Sequence, residues 1–219
     1  VLFRVPVANA TDLYFAYWVR FAPGFGPVKG GKLPGLTGGV TDAGATLPCC
    51  GRLVTLGKGF SSRWMFVDGS SHRLTTYMYW MDNPRPFANS PTNTIKYGGG
   101  PSHSIPFTTY PTPPTTWTQM SDTSNAIAWN SGQWHFMEQH VRLNTPGSYD
   151  GFYEAWIDGI KTAEITDTRF RASGQNYLID AIQFETYFGG GDTSWQSPKD
   201  EYIYFDTIMV ARTRIGGAP

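Results

Sequence analysis

Ser61 and Arg63 stand two residues apart in the run FSSRWMFV (60–67), and Tyr77 and Tyr79 stand two apart in LTTYMYWM (74–81). Residues two apart on a strand leave the same face. If the two runs pair, two phenols lie beside a guanidinium and a hydroxyl. A phenol titrates at about 10 in water, and a neighbouring cation stabilises the phenolate and lowers that value. Tyrosine then qualifies as general base toward a carbon acid and as the general acid that follows. The segment KGGKLPGL (29–36) adds Lys29 and Lys32 among glycines. A backbone without Cβ lets another chain approach closely, which suits an extended anionic ligand. A solvated basic turn is the alternative.

A uronic acid polymer is the substrate that uses this set. Its C5 proton lies α to a carboxylate, and removing it builds charge on the carboxylate oxygens, which a cation or hydrogen-bond donor must stabilise. Arg63 and Lys32 are expected to neutralise that charge, with Ser61 donating to a carboxylate oxygen. Tyr79, ahead of Tyr77, is expected to take the C5 proton and return one to the departing O4. This is β-elimination, and it requires no cofactor. Each residue also has a plainer reading: tyrosine pairs on strands are usually half-buried sheet residues, and Ser-x-Arg is commonplace.

The remaining titratable residues narrow the chemistry. His72, beside Arg73, is a second-choice acid–base or substrate-binding group, ahead of His103. His135 and His140 lie on opposite faces of one strand. No Ser/His/Asp arrangement, zinc-protease motif or phosphate-binding loop is visible. Glu138 and Glu185 sit in strands without the paired-carboxylate signature of a glycoside hydrolase. Cys49 and Cys50 are adjacent, closer than the Cα separation usual for a disulfide. They are expected to be two free thiols, or one thiol paired with a cysteine outside this sequence.

The 219 residues carry 17 basic and 17 acidic side chains, so no general affinity for nucleic acid or acidic membranes is expected. No apolar run approaches the length of a membrane-spanning helix. With 14 Phe, 12 Tyr, 8 Trp, 25 Gly and 16 Pro, the composition favours strands and turns. Aromatic-rich, charge-poor β proteins are often extracellular and often bind sugars. The chain starts in a strand-like sequence, VLFRVPV, so a secreted protein with its leader removed is expected, acting as a monomer.

Period-2 alternation recurs at 13–21, 60–67, 74–81, 134–143, 151–157, 177–187 and 201–211, and helical periodicity is nearly absent. Asp68-Gly69 and Asp158-Gly159 mark hairpin turns. The stretch 84–114, rich in Pro, Gly, Asn and Thr, reads as a long loop or lid flanking the site. The architecture implied is one domain over 1–219: an all-β jelly roll, a two-sheet antiparallel sandwich with a concave substrate groove.

Beyond the dipeptide spacings, KGGKLPGL, Ser61-x-Arg63, Tyr77-x-Tyr79, WHFMEQHVRLNTPG (134–147) and YFGGGDTSWQSPKDEYIYFD (187–206) resemble polysaccharide lyase families 14 and 20. These contain alginate lyases and fungal endo-β-1,4-glucuronan lyases. The resemblance spans about residues 5–211, nearly the whole chain. It implies a jelly roll that cleaves polyuronates by β-elimination. The family pattern of Lys, Ser, Arg and two Tyr falls on Lys32, Ser61, Arg63, Tyr77 and Tyr79. Lys29, His72, His140, Tyr187 and Lys199 are the candidate substrate-binding residues. A structural calcium ion is implied by the resemblance alone; Asp200 and Asp206 are candidate ligands, and the full set is unknown. Glucuronan is the first choice of substrate, from the Cys49-Cys50 insertion and the Pro-rich stretch, and alginate the second. A non-catalytic carbohydrate-binding jelly roll is the alternative from a different class.

Overall fold

The computed structural model describes residues 1–50, 52, 54–67, 73–81, 94–97, 108–110, 127–128 and 130–217. Its strands are β1 (Leu2–Ala10), β2 (Asp12–Phe21), β3 (Gly30–Gly39), β4 (Gly59–Val67), β5 (Arg73–Tyr79), β6 (Thr94–Tyr97), β7 (Thr108–Tyr110), β8 (Ile127–Ala128), β9 (Trp134–Arg142), β10 (Gly151–Ile157), β11 (Ile160–Thr168), β12 (Ile179–Glu185), β13 (Tyr187–Phe188) and β14 (Ile203–Ala211). They form two antiparallel sheets. The first runs β1-β12-β3-β4-β5-β8, with β13 also paired to β3; the second runs β14-β2-β9-β10-β11-β6-β7. The all-β, two-sheet expectation is met.

The alternation seen in the sequence decides which side chains meet between the sheets. On β4 the even positions Phe60, Ser62, Trp64 and Phe66 point inward, and on β2 Phe15, Tyr17, Val19 and Phe21 do. Phe66 lies 5.5 Å from Phe21, 5.5 Å from Phe25 and 5.6 Å from Phe188, all edge-to-face, the geometry that the ring quadrupole favours. Two polar contacts cross the core: Ser62 Oγ donates to Gln139 Oε1, and the Tyr17 hydroxyl donates to the Pro34 carbonyl at 3.2 Å.

Both expected hairpins form. β4 and β5 pair from Ser61↔Tyr79 to Val67↔Arg73; the Asp68-Gly69 turn between them lies outside the described residues. Asp158 and Gly159 both take positive φ, 52° and 78°, the requirement of a two-residue primed turn between β10 and β11.

Three expectations are corrected. The stretch 84–114 is not one long loop: Thr94–Tyr97 pairs with β11, and Thr108–Tyr110 pairs with Thr94–Tyr97. Apart from Lys96, those two segments are Thr, Ile and Tyr, strong strand formers, which the Pro-rich average conceals; the rest of 84–114 lies outside the described residues. The lysine–glycine segment is no turn but β3, paired with β4 on one side and with β12 and β13 on the other. Its Pro34 is tolerated because the register slips between Leu33 and Leu36, the kind of irregularity to which strand prolines are confined. Cys49 and Cys50 are bonded to each other, neither free nor paired elsewhere; Cys50 takes φ 61° within that ring.

Glycine is required in β3 by close approach. A Cβ on Gly31 would run into the Phe66 ring and the Tyr187 carbonyl, and one on Gly35 into the Ser62 carbonyl and the Arg63 Cα. Gly31→Ala is therefore expected to cost about 1–3 kcal/mol, the range for overpacking a filled site, read as a lower urea midpoint at unchanged slope. A shift within experimental error would show that β3 does not sit this tightly against β4.

Candidate active site

The register of the first sheet gathers the chemically able side chains on its outer face. Odd positions of β4 carry Ser61, Arg63 and Met65 outward, opposite Tyr79, Tyr77 and Thr75 of β5. Lys32 of β3 stands opposite Met65 on one side and Tyr187 of β13 on the other. The floor is finished by β12: Glu185 pairs with Arg63, and Gln183 Nε2 donates to Glu185 Oε1. Gly35 pairs with Gln183 and bears no side chain, so β3 leaves the line from Arg63 to Glu185 clear.

Arg63 and Glu185 both have side-chain exposures of 0%. The Arg63 Cζ lies 4.8 Å from the Tyr77 ring centroid and 5.2 Å from that of Tyr79. The two phenol oxygens are 2.9 Å apart. Lys32 Nζ donates to Met65 Sδ at 3.2 Å and sits 4.3 Å from the Tyr77 ring centroid. Lys32, Arg63, Tyr77, Tyr79 and Tyr187 thus form one connected cluster.

Its electrostatics depart from the sequence expectation. Burial, with Arg63 second, lowers the Lys32 ammonium to about 8, against an opposing pull from Glu185. Burial raises the Tyr77 phenol well above its usual value; Tyr79 adds to that, and Arg63 only partly opposes it. Tyr187 is raised for the same first reason, with Glu185 next. Desolvation disfavours whichever form is charged. Here it outweighs the cation that was expected to make a tyrosinate.

The residues expected in the site divide cleanly. Lys32, Arg63, Tyr77, Tyr79 and Tyr187 come together. Arg63 lies beneath the tyrosines rather than at the surface: its charge is committed to Glu185 and has no exposed area for a substrate carboxylate. Ser61 is on the same face but buried, and its Oγ donates to the Pro48 carbonyl. It ties the segment ending in Cys49-Cys50 to the sheet instead of addressing a ligand.

Lys29 precedes β3 and is exposed, donating to Ser194 Oγ at 2.5 Å and lying 5.8 Å from the Trp195 ring. Lys199 is engaged by the Gly24 carbonyl at 2.9 Å and by Glu201 at 3.4 Å. His140 belongs to β9 of the other sheet and faces away from the cluster. Its ring stacks on Tyr14 at 3.9 Å, with Asp12 at 2.7 Å from Nε2 and Glu154 at 3.1 Å from Nδ1. Odd positions of β9 such as Met137 and Val141 fill the core, so His140, an even one, leaves the outer face of the second sheet. His72 and His103 lie outside the described residues.

Among the described residues no three His, Cys, Asp or Glu side chains converge on a metal position. Asp206, a candidate calcium ligand, accepts from its neighbour Thr207, and no ligand shell gathers with Asp200. Glu185 and Met65 are the site residues that the sequence reading missed. Glu185 was weighed only as a hydrolase acid, though its place on an alternating strand was visible.

Removing one partner of a buried ion pair strands the other. Arg63→Met is expected to lose about 3–5 kcal/mol of stability, and Arg63→Met with Glu185→Leu most of that less. Urea unfolding of the single and double variants checks it. Additive losses would mean that the two side chains do not act as a pair.

Comparison with known proteins follows the same lines. The family described as polysaccharide lyase 14 matches residues 3–208. No curated protein sequence matches the chain. Among solved structures, alginate lyase Aly36B, as a double variant bound to an alginate trisaccharide, is similar at 23% identity and TM-score 0.69, over 96% of this chain and 74% of that one. A marine alginate lyase from Aplysia kurodai is similar at 22% identity and TM-score 0.59, over 94% and 71%. An endo-β-1,4-glucuronan lyase from the fungus Trichoderma reesei is similar at 13% identity and TM-score 0.50, over 97% and 74%. At these identities the likeness speaks for the jelly-roll fold, while the family match covers nearly the whole chain. The chain belongs to the polysaccharide lyase 14 family.

Proposed function

We propose that the protein cleaves a β-1,4-linked polyuronate by β-elimination, leaving a 4,5-unsaturated uronate end, with Lys32 as the proton acceptor. One observation carries this reading: a lysine held at about 8 by burial and by Arg63, against the ring of Tyr77. At neutral to mildly alkaline pH such an amine has a substantial unprotonated fraction, the condition for a working base. The C5–H bond breaks toward Lys32 Nζ, the electron pair forms C4=C5, the C4–O4 bond breaks, and O4 takes a proton. Tyr77, kept protonated by its raised value, is suited to donate to the developing carboxylate charge or to O4. Arg63 supplies positive potential from below the rings.

The acid–base groups are clustered on one side of the sheet, which suits a substrate whose C5 proton and O4 lie on the same side. Glucuronate and mannuronate both have that arrangement; guluronate does not. Glucuronan remains the favoured polymer from the sequence, and polymannuronate the second. A polymer of this kind does not cross a membrane intact, so the reading includes a secreted, extracellular enzyme.

The second reading keeps Tyr79 as base, favoured by its hydroxyl lying 2.9 Å from that of Tyr77 and its ring 5.2 Å from Arg63. The pH profile separates the two with opposite signs. If neutral Lys32 is the base, kcat rises with pH through about 8. If protonated Lys32 serves only as a cation beside a tyrosine base, activity falls through the same range. Ultraviolet absorbance of the unsaturated product, followed on glucuronan, polymannuronate and polyguluronate, supplies both the rate and the substrate. No absorbance on any of the three would overturn the lyase reading.

The variants should agree with the profile. Lys32→Met is expected to lower kcat by about 10²–10⁴-fold, the usual weight of an acid–base group, whereas Tyr79→Phe is expected to act mainly on KM. The reverse pattern, with kcat lost in the phenylalanine variant and kept in the methionine one, would move the proton transfer to Tyr79.

A further inference from the structure

Alternation on β2 sends Phe15, Tyr17, Val19 and Phe21 into the core, so Trp18 and Arg20 leave the second sheet on its outer face, on the side of the sandwich away from Lys32. The register then places three side chains in one row across three adjacent strands: Tyr204 of β14, Arg20 of β2 and Trp134 of β9. The Arg20 Cζ lies 4.7 Å from the Tyr204 ring centroid and 5.0 Å from that of Trp134. Both rings are open to solvent, at 41% and 39%.

Among the described residues no carboxylate comes within ion-pair distance of Arg20, and its buried Nε has no hydrogen-bond partner. Asp206, two positions along β14 from Tyr204, directs Oδ1 to the Thr207 N–H and hydroxyl. A cation with no carboxylate partner among the described residues, held between two rings that are partly open to solvent, matches a ligand with apolar ring faces and a negative charge between them. A sugar acid chain has both. Neighbouring strands are about 4.8 Å apart, so rings two strands apart are separated by about 10 Å, close to the length of one β-1,4-linked disaccharide unit. Alternate sugars of an extended chain can then lie on Tyr204 and Trp134, with the intervening carboxylate over Arg20.

We propose that Tyr204, Arg20 and Trp134 form a second, non-catalytic site that holds a polyuronate chain running across β14, β2 and β9. The identity of the occupant rests on the polyuronate reading of the active site; the site itself rests on the row of side chains. It tethers the enzyme to polymer without taking part in the elimination.

The test is affinity electrophoresis in gels containing glucuronan, polymannuronate or a neutral β-1,4-glucan, with the catalytic face silenced by Lys32→Ala in every sample. Arg20→Ala, Trp134→Ala and Tyr204→Ala are each expected to weaken retention by an acidic polymer about tenfold, the weight of one charge-assisted or stacking contact. With Lys32 intact, the same three changes should leave turnover of a uronate tetrasaccharide unchanged and lower the rate on dilute polymer. Thermal melting of each variant shows that it is folded, and three independent variants keep the test alive if one is not.

Unchanged retention in folded variants overturns the site. So does equal retention by the neutral glucan, because Arg20 would then read no charge. A dimer that dissolves on Arg20→Ala also overturns it, by assigning the face to a second copy of the chain. Retention that depends on Arg20 in a protein that makes no unsaturated product would overturn the lyase reading and support this site, so the two failures are distinct.

Discussion

The buried pair of Arg63 and Glu185 is the constraint on which the active face is organised. Removing an ion from water costs several kcal/mol even after the protein relaxes, and here neither side chain keeps any exposed surface. The pair is tolerable because each charge answers the other and because Gln183 satisfies the second carboxylate oxygen. The field of Arg63 does not vanish in this arrangement. It reaches the rings of Tyr77 and Tyr79 and helps to lower Lys32, while Glu185 pulls the same lysine the other way. Burial is the largest influence on the Lys32 amine, and this pair of opposed charges adjusts it from beneath.

The backbone permits this because of what β3 lacks. The strand lies between those carrying Arg63 and Glu185, and a side chain at Gly35 would meet β4 backbone before it met solvent. The glycines that make KGGKLPGL look like a loop are what let three strands close up. Contacts across the core, Ser62 to Gln139 and Tyr17 to Pro34, hold the same region from the other side. Ser61, read from sequence as a ligand donor, is buried there and donates to the Pro48 carbonyl.

Alternation made the architecture legible. A period of two is a property of each strand by itself, so it placed Arg63 with Ser61, and Tyr77 with Tyr79, before any partner strand was known. Pairing of β4 with β5 was legible too, through the turn residues between them. What could not be read was everything that depends on contacts distant in the chain. Glu185 lies 122 residues from Arg63, and no local pattern announces their meeting. The burial of Arg63 was hidden for the same reason. Parity put His135 and His140 on opposite faces of one strand, but it does not tell which sheet holds that strand. Strands β3, β6 and β7 were missed where glycine and proline dominated the local composition, and the vicinal disulfide because ordinary disulfide spacing argues against it.

The proposal of Lys32 as proton acceptor turns on magnitudes. A unit charge at about 5 Å contributes on the order of 3 kcal/mol at an effective dielectric of about 20. Full burial can shift a titration by about 3–5 units, or roughly 4–7 kcal/mol. The Arg63 charge is moreover shared with Glu185, which reduces its effect on any third group. For Tyr77 the larger effect, burial, opposes ionisation, so the phenol stays protonated despite the cation beneath it. For Lys32 the charged form is the protonated one, so burial and Arg63 act in the same direction, toward the neutral amine. One desolvated face therefore pushes both groups toward their neutral forms, the direction on which the proposed role of Lys32 rests. At Tyr77, proximity to a cation alone gives the wrong sign, because burial is the larger effect.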